Sequence, residues 1–442
     1  MFNFLFNSCK LLIYSSIISL KYKYRNNISN KDLVIFNKYI NNCGCIMTKC
    51  IQWLIPLLDN GTLNDNILYI LNNVYENNKI HNINYTEKLY IKSFKYNLYD
   101  KYDIINIIGS GSIGQVYKIK CKKTDKFYVM KVKHPDIEKQ ILIFRKIFYI
   151  IYNVKIFNSF FYNYFPFNLV KFLDDFYKQN DFINECNNLL KFHDYYINNE
   201  YIIIPKLISA SKDIIIMENI EGECIDNLNI SEYKKSKIIY LLYLFVRNNL
   251  LINNNNHGDL HKHNWKVSSD KLNNLHKIII YDFGYCFKLD HEEYKNINIL
   301  CDIIVSIDDK NTQLKYEDFL KFTLGDVKLD LNVVFNNKIT EPAILLKQVL
   351  QISKRNNIII HRYKLLNSIL LMSLVDNYFK KYNINNNNNK YTVKKNILDA
   401  YSFCNTYNIF PKLAKHLYYE YNLNNEYPKQ SIIFSDKIKS LI

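Results

Sequence analysis

The segment from residue 104 to residue 135 constrains the fold of this chain more than any other stretch. It reads IINIIGSGSIGQVYKIKCKKTDKFYVMKVKHP, with β-branched and aromatic residues in alternation on both sides of a glycine cluster. Such alternation is typical of strands, and the glycines and the polar group 122-KKTDK-126 mark turns between them. The segment therefore predicts three consecutive strands, of which the first two are joined by a glycine-rich turn.

The glycine cluster, 109-GSGSIGQV-116, has the spacing G-x-G-x-x-G-x-V. A backbone without Cβ atoms can approach phosphate oxygens closely. A dinucleotide-binding turn would lead into a helix, whereas here the strand pattern 115-QVYKIK-120 follows. The cluster favours a kinase-type flap over nucleotide phosphates, and the alternative is an ordinary glycine hairpin. The candidate nucleotide-contacting residues are Gly109, Ser110, Gly111, Ser112, Gly114 and Val116.

A lysine and a glutamate further along the chain match the needs of such a flap. Lys131 alternates with apolar neighbours in 129-VMKVK-133, so its side chain points away from theirs. Asp181, Glu185 and Asn188 share one face if their segment is a helix. An ion pair of Lys131 with Glu185 would hold the ammonium group toward the α and β phosphates. The alternatives are a solvated lysine and a charged, exposed helix face.

Two later segments carry the residue types of phosphoryl transfer. In 257-HGDLHKHN-264, Asp259 and Asn264 have the spacing of the kinase catalytic loop H-R-D-x-x-x-x-N. Asp259 would accept the hydroxyl proton or orient the acceptor, and Asn264 would help to hold magnesium. Asp282, in 281-YDFG-284, would be a second magnesium ligand, because hard divalent cations prefer oxygen donors.

A histidine metal cage is the alternative for the 257–264 loop. It would use His257, His261 and His263, or one loop histidine with the cysteine grouping at 43–50. The ten cysteines form no CxxC pair, which favours reduced, scattered thiols over zinc ligands. A metal cage also leaves the lysine, the glutamate and the Asp-Phe-Gly segment unexplained. The kinase interpretation accounts for all of them in their observed order.

The order of patterns predicts an α+β, bilobal, protein-kinase-like fold. A small β-rich N-lobe would carry a helical N-terminal extension and a helical insertion, and the larger C-lobe would be mainly helical except near 278–284. Two more strands are expected within 201–222. The predicted divisions are a basic leader at 1–34, the extension at 35–100, the N-lobe at 101–219 and the C-lobe at 220–442.

The leader and the charge bear on location and partners. No acidic residue occurs from Met1 to Lys31, and the apolar run 11-LLIYSSIISL-20 is too short to span a bilayer. We interpret the leader as a mitochondrial transit peptide; a basic first helix and a secretory signal are the alternatives. The net charge is +17, but the lysines are dispersed rather than gathered in one stripe, so we expect no nucleic-acid partner.

Taken together, these motifs resemble the UbiB-like, or aarF-domain-containing, atypical kinases associated with coenzyme Q (ubiquinone) biosynthesis and lipid homeostasis. That family has a long insertion between lysine and glutamate, and Glu185 follows Lys131 by 54 residues. Its D-x-x-x-E-A-x-N signature is matched by Asp181, Glu185 and Asn188, with cysteine at the alanine. Its H-A/G-D-x-H-P-G-N loop is matched from residue 257, except that Lys-His replaces Pro-Gly.

The extension of that family carries K-x-G-Q, of which Lys49 and Gln52 remain here while Ile51 replaces the glycine. The resemblance implies that this regulatory segment folds over the nucleotide cleft. It also implies ATP and Mg²⁺ as cofactors and a hinge at 216-IMENIEG-222, near Glu218, that would bind adenine. The glycine-rich turn is similar to that of one mitochondrial subgroup. Implied partners are ubiquinone-biosynthesis enzymes or a lipid or membrane surface.

Two other functions remain open from the sequence. Small-molecule kinases of the aminoglycoside or choline type share H-G-D-x-H-x-x-N and a D-F-G-like segment, but the extension and the 181–188 signature favour the first family. A catalytically weak, nucleotide-sensing scaffold is the third hypothesis, and the replaced Pro-Gly keeps it open. The intact lysine, glutamate, aspartate and asparagine argue against a dead site.

Overall fold

The structure is a computed structural model. It describes residues 7, 10, 14, 21, 29–42, 80–153, 174–175, 177–297, 310–325, 342–356, 358–382 and 393–420. The chain divides into two units. The first consists of Met1–Asn158, Leu169–Leu190 and Pro205–Asn219, and the second of Ser159–Asn168, Lys191–Ile204 and Ile220–Ile442. Each of the two is therefore assembled from segments that are separated in the sequence.

The first unit contains a five-stranded antiparallel sheet in the order β1-β2-β3-β6-β5. Its strands are β1 (Tyr102–Ser110), β2 (Gly114–Cys121), β3 (Phe127–Lys133), β5 (Leu207–Ala210) and β6 (Ile214–Glu218). The glycine-rich turn joins β1 to β2, and the polar group 122–126 joins β2 to β3. The alternation and turn chemistry of the sequence thus produce the predicted order of strands and turns.

Helices precede and interrupt this sheet. They are α1 (Asn30–Asn42), α2 (Ile83–Phe94), α3 (Leu98–Lys101), α4 (Ile137–Asn153) and α5 (Phe182–Tyr196). The side chain of Asn82 accepts a hydrogen bond from the backbone N–H of Asn84 at 2.9 Å and so caps the start of α2. Residues 182–190 of α5 belong to the first unit and residues 191–196 to the second.

The two faces of the sheet are buried by different helices. Because side chains alternate along a strand, Ile214 and Ile216 of β6 face one way and Ile215 and Met217 the other. The first face packs on α2 and α3, with a core of Tyr90, Leu98, Tyr102, Tyr117, Ile119, Cys121, Met130, Val132, Ile214 and Ile216. The second face packs on α5, with a core of Phe182, Cys186, Ile215 and Met217. Each large apolar side chain buried in this way contributes roughly 1.5–3 kcal/mol.

The second unit contains two small sheets. The first has the order β4-β9-β8, formed by β4 (Ile202–Ile203), β8 (Trp265–Leu272) and β9 (Leu275–Ile280). The other pairs β7 (Asn256–His257) with β10 (Cys286–Phe287). The described helices of this unit are α6 (Glu232–Asn248), α7 (Lys310–Leu324), α8 (Pro342–Arg355), α9 (Tyr363–Tyr382), α10 (Val393–Tyr407) and α11 (Pro411–Glu420). Together with the first sheet, they confirm the kinase-like α+β fold class.

The strand content of the second unit was underestimated from the sequence. We predicted an exception to the helical pattern only near 278–284, whereas the structure also has β8, which pairs with β9 in an antiparallel hairpin. The segment 265-WKVSSDKL-272 contains serines, lysines and an aspartate, and only Trp265, Val267 and Ser268 of it are buried. Too few apolar positions are available there to reveal an alternating pattern.

The predicted N-terminal features are only partly covered by the described residues. Of the leader, Lys21 forms an ion pair with Asp32 of α1 at 2.7 Å, and the hydroxyl of Tyr14 donates to the same carboxylate at 3.1 Å. Lys49 and Gln52 lie outside the described residues, as does the whole stretch 43–79 of the extension predicted at 35–100. Within the part of the chain that the structure describes, no helix has the length and apolar character needed to cross a membrane.

Candidate functional site

Lys131 and Glu185 form a buried, two-pronged ion pair in the first unit. The Nζ atom of Lys131 donates to Oε1 of Glu185 at 2.7 Å and to Oε2 at 2.9 Å. Lys131 is 9% exposed and Glu185 is 3% exposed. A charge-assisted contact of this kind is short and directional, and burial makes either group costly without the other. The two residues that were expected to pair from their charges and their order in the sequence are thus in direct contact.

Strand and helix periodicity bring these two side chains together. Lys131 lies on β3, between β2 and β6, and is opposite Val116 and Ile215 in the register. It points to the sheet face that α5 covers, whereas Met130 and Val132 point to the opposite face. Glu185 lies in the first turn of α5. The Nζ atom of Lys131 is also 5.4 Å from the centre of the Phe182 ring.

The glycine-rich turn is closed by backbone hydrogen bonds. The N–H of Gly111 donates to the carbonyl oxygen of Gly114 at 3.0 Å, and the N–H of His134 donates to the carbonyl oxygen of Ile113 at 2.9 Å. A Cβ atom at Gly114 would lie 2.9 Å from the carbonyl oxygen of Val132 and 3.2 Å from the Phe182 ring. Gly114 is therefore required by close packing of the turn against β3.

The loop after β7 holds the second group of predicted residues. Its His257 is 1% exposed; Nε2 donates to the carbonyl oxygen of Tyr281 at 3.0 Å, and Nδ1 accepts the N–H of Asp259 at 3.3 Å. Burial lowers the pKa of His257, which agrees with this neutral tautomer. Nδ2 of Asn264 donates to the carbonyl oxygen of Asp259 at 2.7 Å. Backbone and side-chain bonds thus fix the whole loop.

Gly258 permits the close packing of this loop. A Cβ atom there would lie 2.5 Å from two ring carbons of Tyr285. The N–H of Gly258 also donates to the carbonyl oxygen of Tyr285 at 2.8 Å, beside the pairing of β7 with β10. The glycine of the His-Gly-Asp sequence is therefore a packing requirement.

Asp282 follows β9 in a left-handed backbone conformation. Its φ is 52°, and its Oδ1 accepts the N–H of Gly284 at 3.2 Å. The neighbouring Phe283 is buried against His257, with ring centroids 5.3 Å apart, and against Phe192 of α5 at 4.9 Å. A non-glycine residue at positive φ is uncommon and persists when its surroundings determine it. The anchored phenylalanine and the Asx-type bond hold the Asp282 carboxylate.

The residues at this end of the β8–β9 hairpin suit magnesium better than a histidine-bound metal. Trp265 pairs with Ile280, and the N–H of Tyr281 donates to the carbonyl oxygen of Asn264 at 2.8 Å, so Asn264 and Asp282 flank the end of one ladder. They offer amide and carboxylate oxygens, which Mg²⁺ prefers. Both ring nitrogens of His257 are already engaged. The His257 side chain therefore supports the loop through hydrogen bonds.

The surroundings of the other loop histidines and of the cysteines are as follows. Within the described ranges, no group of three or more His, Cys, Asp or Glu residues is placed to hold a metal ion. The Nε2 atom of His261 lies 3.8 Å from Oδ1 of Asp259, beside the proposed catalytic carboxylate. The described cysteines are free thiols at Cys121, Cys186, Cys224, Cys286 and Cys404.

The remaining predicted residues have varied positions. Ser110 is buried, Ser112 and Val116 are half-buried, and a Cβ atom at Gly109 would meet no atom within 4 Å. Glu218 ends β6 with an exposed side chain, and its N–H donates to the carbonyl oxygen of Lys206 at 2.9 Å. That amide is engaged within the sheet, so adenine recognition by the hinge remains a prediction.

Sequence reasoning missed one residue that touches the glycine-rich turn. Nε2 of His134, one residue beyond β3, lies 3.1 Å from the carbonyl oxygen of Gly111. Its Nδ1 atom lies 2.8 Å from Nδ1 of His81, which precedes α2. A histidine followed by proline gave no signal of this role, because the two histidines are 53 residues apart in the chain.

Comparison with known proteins gives three findings. A family model described as the ABC1 atypical kinase-like domain matches residues 78–317. An uncharacterized aarF domain-containing protein kinase of Arabidopsis thaliana, described as chloroplastic, is 26% identical over 132 residues, which cover 28% of this chain and 18% of that protein. A solved structure of a Mycobacterium tuberculosis protein in complex with erythromycin is 15% identical, with a TM-score of 0.48, and the alignment covers 69% of this chain and 83% of that one.

Proposed function

This chain belongs to the ABC1 atypical kinase-like family, and from that premise we propose that it is an ATP-dependent phosphotransferase or ATPase that binds Mg²⁺-ATP. The observation that carries the proposal is the buried ion pair between Lys131 of β3 and Glu185 of α5. A surface lysine would be solvated, and a buried pair gains little stability over apolar residues. The pair is instead suited to presenting one ammonium group to phosphate oxygens.

Each named residue has a role in this proposal. Lys131 would contact the α and β phosphates, and the amides of the glycine-rich turn would surround the phosphate chain. Asn264 and Asp282 would hold Mg²⁺, which supplies positive charge to the phosphate oxygens when bound. Asp259 would orient the attacking hydroxyl or water, and its loop is fixed by the bonds from His257 and Asn264.

The finer part of the proposal concerns the pathway. The resemblance described above supports a role in ubiquinone biosynthesis or mitochondrial lipid homeostasis, with ubiquinone-biosynthesis enzymes or a lipid surface as partners. The acid-free, basic leader supports a mitochondrial location. Stimulation of ATP hydrolysis by ubiquinone precursors or by lipid vesicles would support this assignment, and hydrolysis indifferent to both would remove it.

A thermal-shift titration with ATP and ADP, with and without Mg²⁺, tests the proposed activity. Ligand at a hundredfold its Kd should stabilise the protein by about 2.7 kcal/mol. We expect a magnesium-dependent shift that is lost in Asp282→Asn and retained in Asp270→Asn, a matched change at an exposed position on β8. If folded wild-type protein shows no shift, the nucleotide-binding proposal fails and a scaffold role replaces it.

A further inference from the structure

A chain of hydrogen bonds connects the segment before α2 to the glycine-rich turn. All of its members belong to the first unit. The contacts are Gln115 Nε2 to Tyr117 OH at 2.6 Å, Tyr117 OH to Thr86 Oγ1 at 2.7 Å, Thr86 Oγ1 to His81 Nε2 at 2.9 Å, His81 Nδ1 to His134 Nδ1 at 2.8 Å, and His134 Nε2 to the carbonyl oxygen of Gly111 at 3.1 Å. Each contact is within hydrogen-bond distance, so the chain is continuous.

The two ends of the chain fix its direction. The carbonyl oxygen of Gly111 can only accept, so Nε2 of His134 carries a proton and its Nδ1 accepts from Nδ1–H of His81. At the other end, the backbone N–H of His81 donates to Oε1 of Gln115 at 2.8 Å, which leaves the amide Nε2 of Gln115 to donate to Tyr117. Tyr117 then donates to Thr86, and Thr86 donates to Nε2 of His81. This arrangement satisfies all five contacts of the chain with both histidines neutral.

The last bond determines how the glycine-rich turn presents its backbone. In a planar trans peptide, the carbonyl of Gly111 and the N–H of Ser112 point in opposite directions. His134 holds that carbonyl from the side of the sheet on which Tyr117 packs with α2. The Ser112 amide is therefore turned toward the other face, on which Lys131 meets Glu185. Reversal of this peptide would instead direct a carbonyl oxygen toward that face, where it would repel a phosphate.

We infer that His134 is a positioning residue for nucleotide binding: it holds the Gly111–Ser112 peptide in the orientation that directs an amide toward phosphate, and His81 fixes the tautomer in which it can do so. This inference rests on the proposed function. It also assigns a role to the segment before α2, whose His81 acts on the turn through His134. Neither His81 nor His134 belongs to the motifs that identified the site.

The surroundings of the two histidines favour the neutral state. Burial, followed by the charge of His134, lowers the pKa of His81 to about 4, and burial also lowers the pKa of His134. Tyr85 of α2 packs its ring on His81 with centroids 5.0 Å apart, and burial raises the pKa values of Tyr85 and Tyr117, so both remain uncharged. The carboxylates that act on this group, Asp213 and Asp136, raise the pKa of Tyr85. Protonation of either histidine would place two N–H groups against each other, or it would reverse the direction of donation along the chain of hydrogen bonds. In both cases one hydrogen bond would be lost.

Two substitutions of His134 separate positioning from packing. His134→Gln retains an amide N–H donor for Gly111, whereas His134→Phe keeps a ring and removes the donor. His291→Phe, at an exposed position, is the control for a histidine change elsewhere. Two quantities are measured: hydrogen exchange of the amides in residues 109–116 without nucleotide, and the Kd for Mg²⁺-ATP at pH 7.5 and pH 5.5.

We expect His134→Phe to speed exchange in the turn and to weaken Mg²⁺-ATP binding about tenfold, the factor that corresponds to one hydrogen bond. His134→Gln and His291→Phe should stay close to wild type at pH 7.5. Between pH 7.5 and pH 5.5, the affinities of wild type and of His134→Gln should change by the same factor, because the pKa values of both histidines are lowered, that of His81 to about 4. Equal exchange and equal Kd in the Phe and Gln variants would overturn the inference.

Two remaining outcomes are also decisive. If the wild-type protein binds no nucleotide, the proposed function fails, and hydrogen exchange alone tests whether His134 holds the turn. Faster exchange in His134→Phe but not in His134→Gln then supports the inference. Equal exchange in the two variants overturns it. If His134→Phe does not fold, His81→Asn, which keeps a donor near Nδ1, is compared with His81→Leu, which has none. Faster exchange only in His81→Leu supports the inference, and identical behaviour overturns it.

Discussion

The energetics of the Lys131–Glu185 pair lead to a test at the level of single residues. Removal of one partner leaves the other charge buried, which typically costs about 3–5 kcal/mol, whereas replacement of both by apolar residues is close to neutral. We therefore expect Lys131→Met to lower the free energy of unfolding by that amount. Lys131→Met combined with Glu185→Leu should recover most of it. Urea denaturation of both variants and of Lys120→Met, a control on β2, measures these changes in the free energy of unfolding.

The opposite result would be equally informative. If Lys131→Met and the double variant are equally stable, the remaining charge of Glu185 carries no burial cost. The pair is then solvated, in contrast to the exposed fractions of 9% for Lys131 and 3% for Glu185. Loss of Mg²⁺-ATP binding in a double variant of normal stability would separate the functional role of the pair from its contribution to folding.

At the residue scale, the sequence predicted contacts where chemistry restricts the choice of partner. Lys131 required a carboxylate, and Glu185 was the helical acid in the right order along the chain. The contact of His134 with Gly111 was not predictable in this way. A neutral histidine can donate, accept or pack, and its partner is fixed only when the strands bring His81 beside it.

At the scale of elements, α5 carries an aromatic residue that connects two features of the second unit. Phe192 is fully buried, and its ring packs on Phe283 of the Asp-Phe-Gly segment and on Phe245 of α6, with centroids 4.9 Å and 6.0 Å apart. We expect Phe192→Ala to cost about 3–5 kcal/mol, because truncation leaves a cavity in a packed core. Ile183→Ala, on the exposed side of the same helix, should cost less than about 0.5 kcal/mol.

Thermal unfolding of the two variants provides the comparison. Similar midpoints would mean that the ring of Phe192 is not packed as described. If Phe192→Ala instead unfolds early and also loses Mg²⁺-ATP binding below its own midpoint, the aromatic cluster holds Asp282 in place as well as stabilising the core.

The elements were predictable in proportion to their apolar periodicity. Strands β1 to β3, with their β-branched runs and glycine and polar turns, matched the prediction closely, and the helix expected around Glu185 is present as α5. Strand β8 was missed because it is largely polar, and β7 and β10 are two residues each, too short for any periodic pattern. Their pairing depends on tertiary contacts such as the packing of Gly258 under Tyr285.

For the whole molecule, buried neutral histidines predict acid sensitivity. The pKa values of His81, His134 and His257 are all lowered, that of His81 to about 4 from an ordinary value of 6.5. Below pH 6.5 the unfolded chain therefore binds protons that the folded chain does not, so stability present at neutral pH is lost as the pH falls from 6.5 toward 4. His81 alone accounts for about 3 kcal/mol over that range.

Denaturation midpoints measured at intervals from pH 7.5 to pH 4.5 test this expectation. His81→Gln should show a shallower decline than wild type, while a change at the exposed His291 should leave the slope unaltered. A wild-type curve that is flat between pH 6.5 and pH 5 contradicts the assignment of these histidines as neutral and buried.

The strand order of the first sheet has a consequence for folding during synthesis of the chain. Strand β3 lies between β2 and β6, and β6 ends at Glu218, after the whole of α4 and α5 has been synthesised. Until that residue has left the ribosome, the edge of β3 that pairs with β6 has no partner. This strand carries Met130, Lys131 and Val132. The nascent chain therefore exposes an unpaired, apolar strand edge until β6 follows, and such an edge is a place where aggregation begins unless a chaperone covers it.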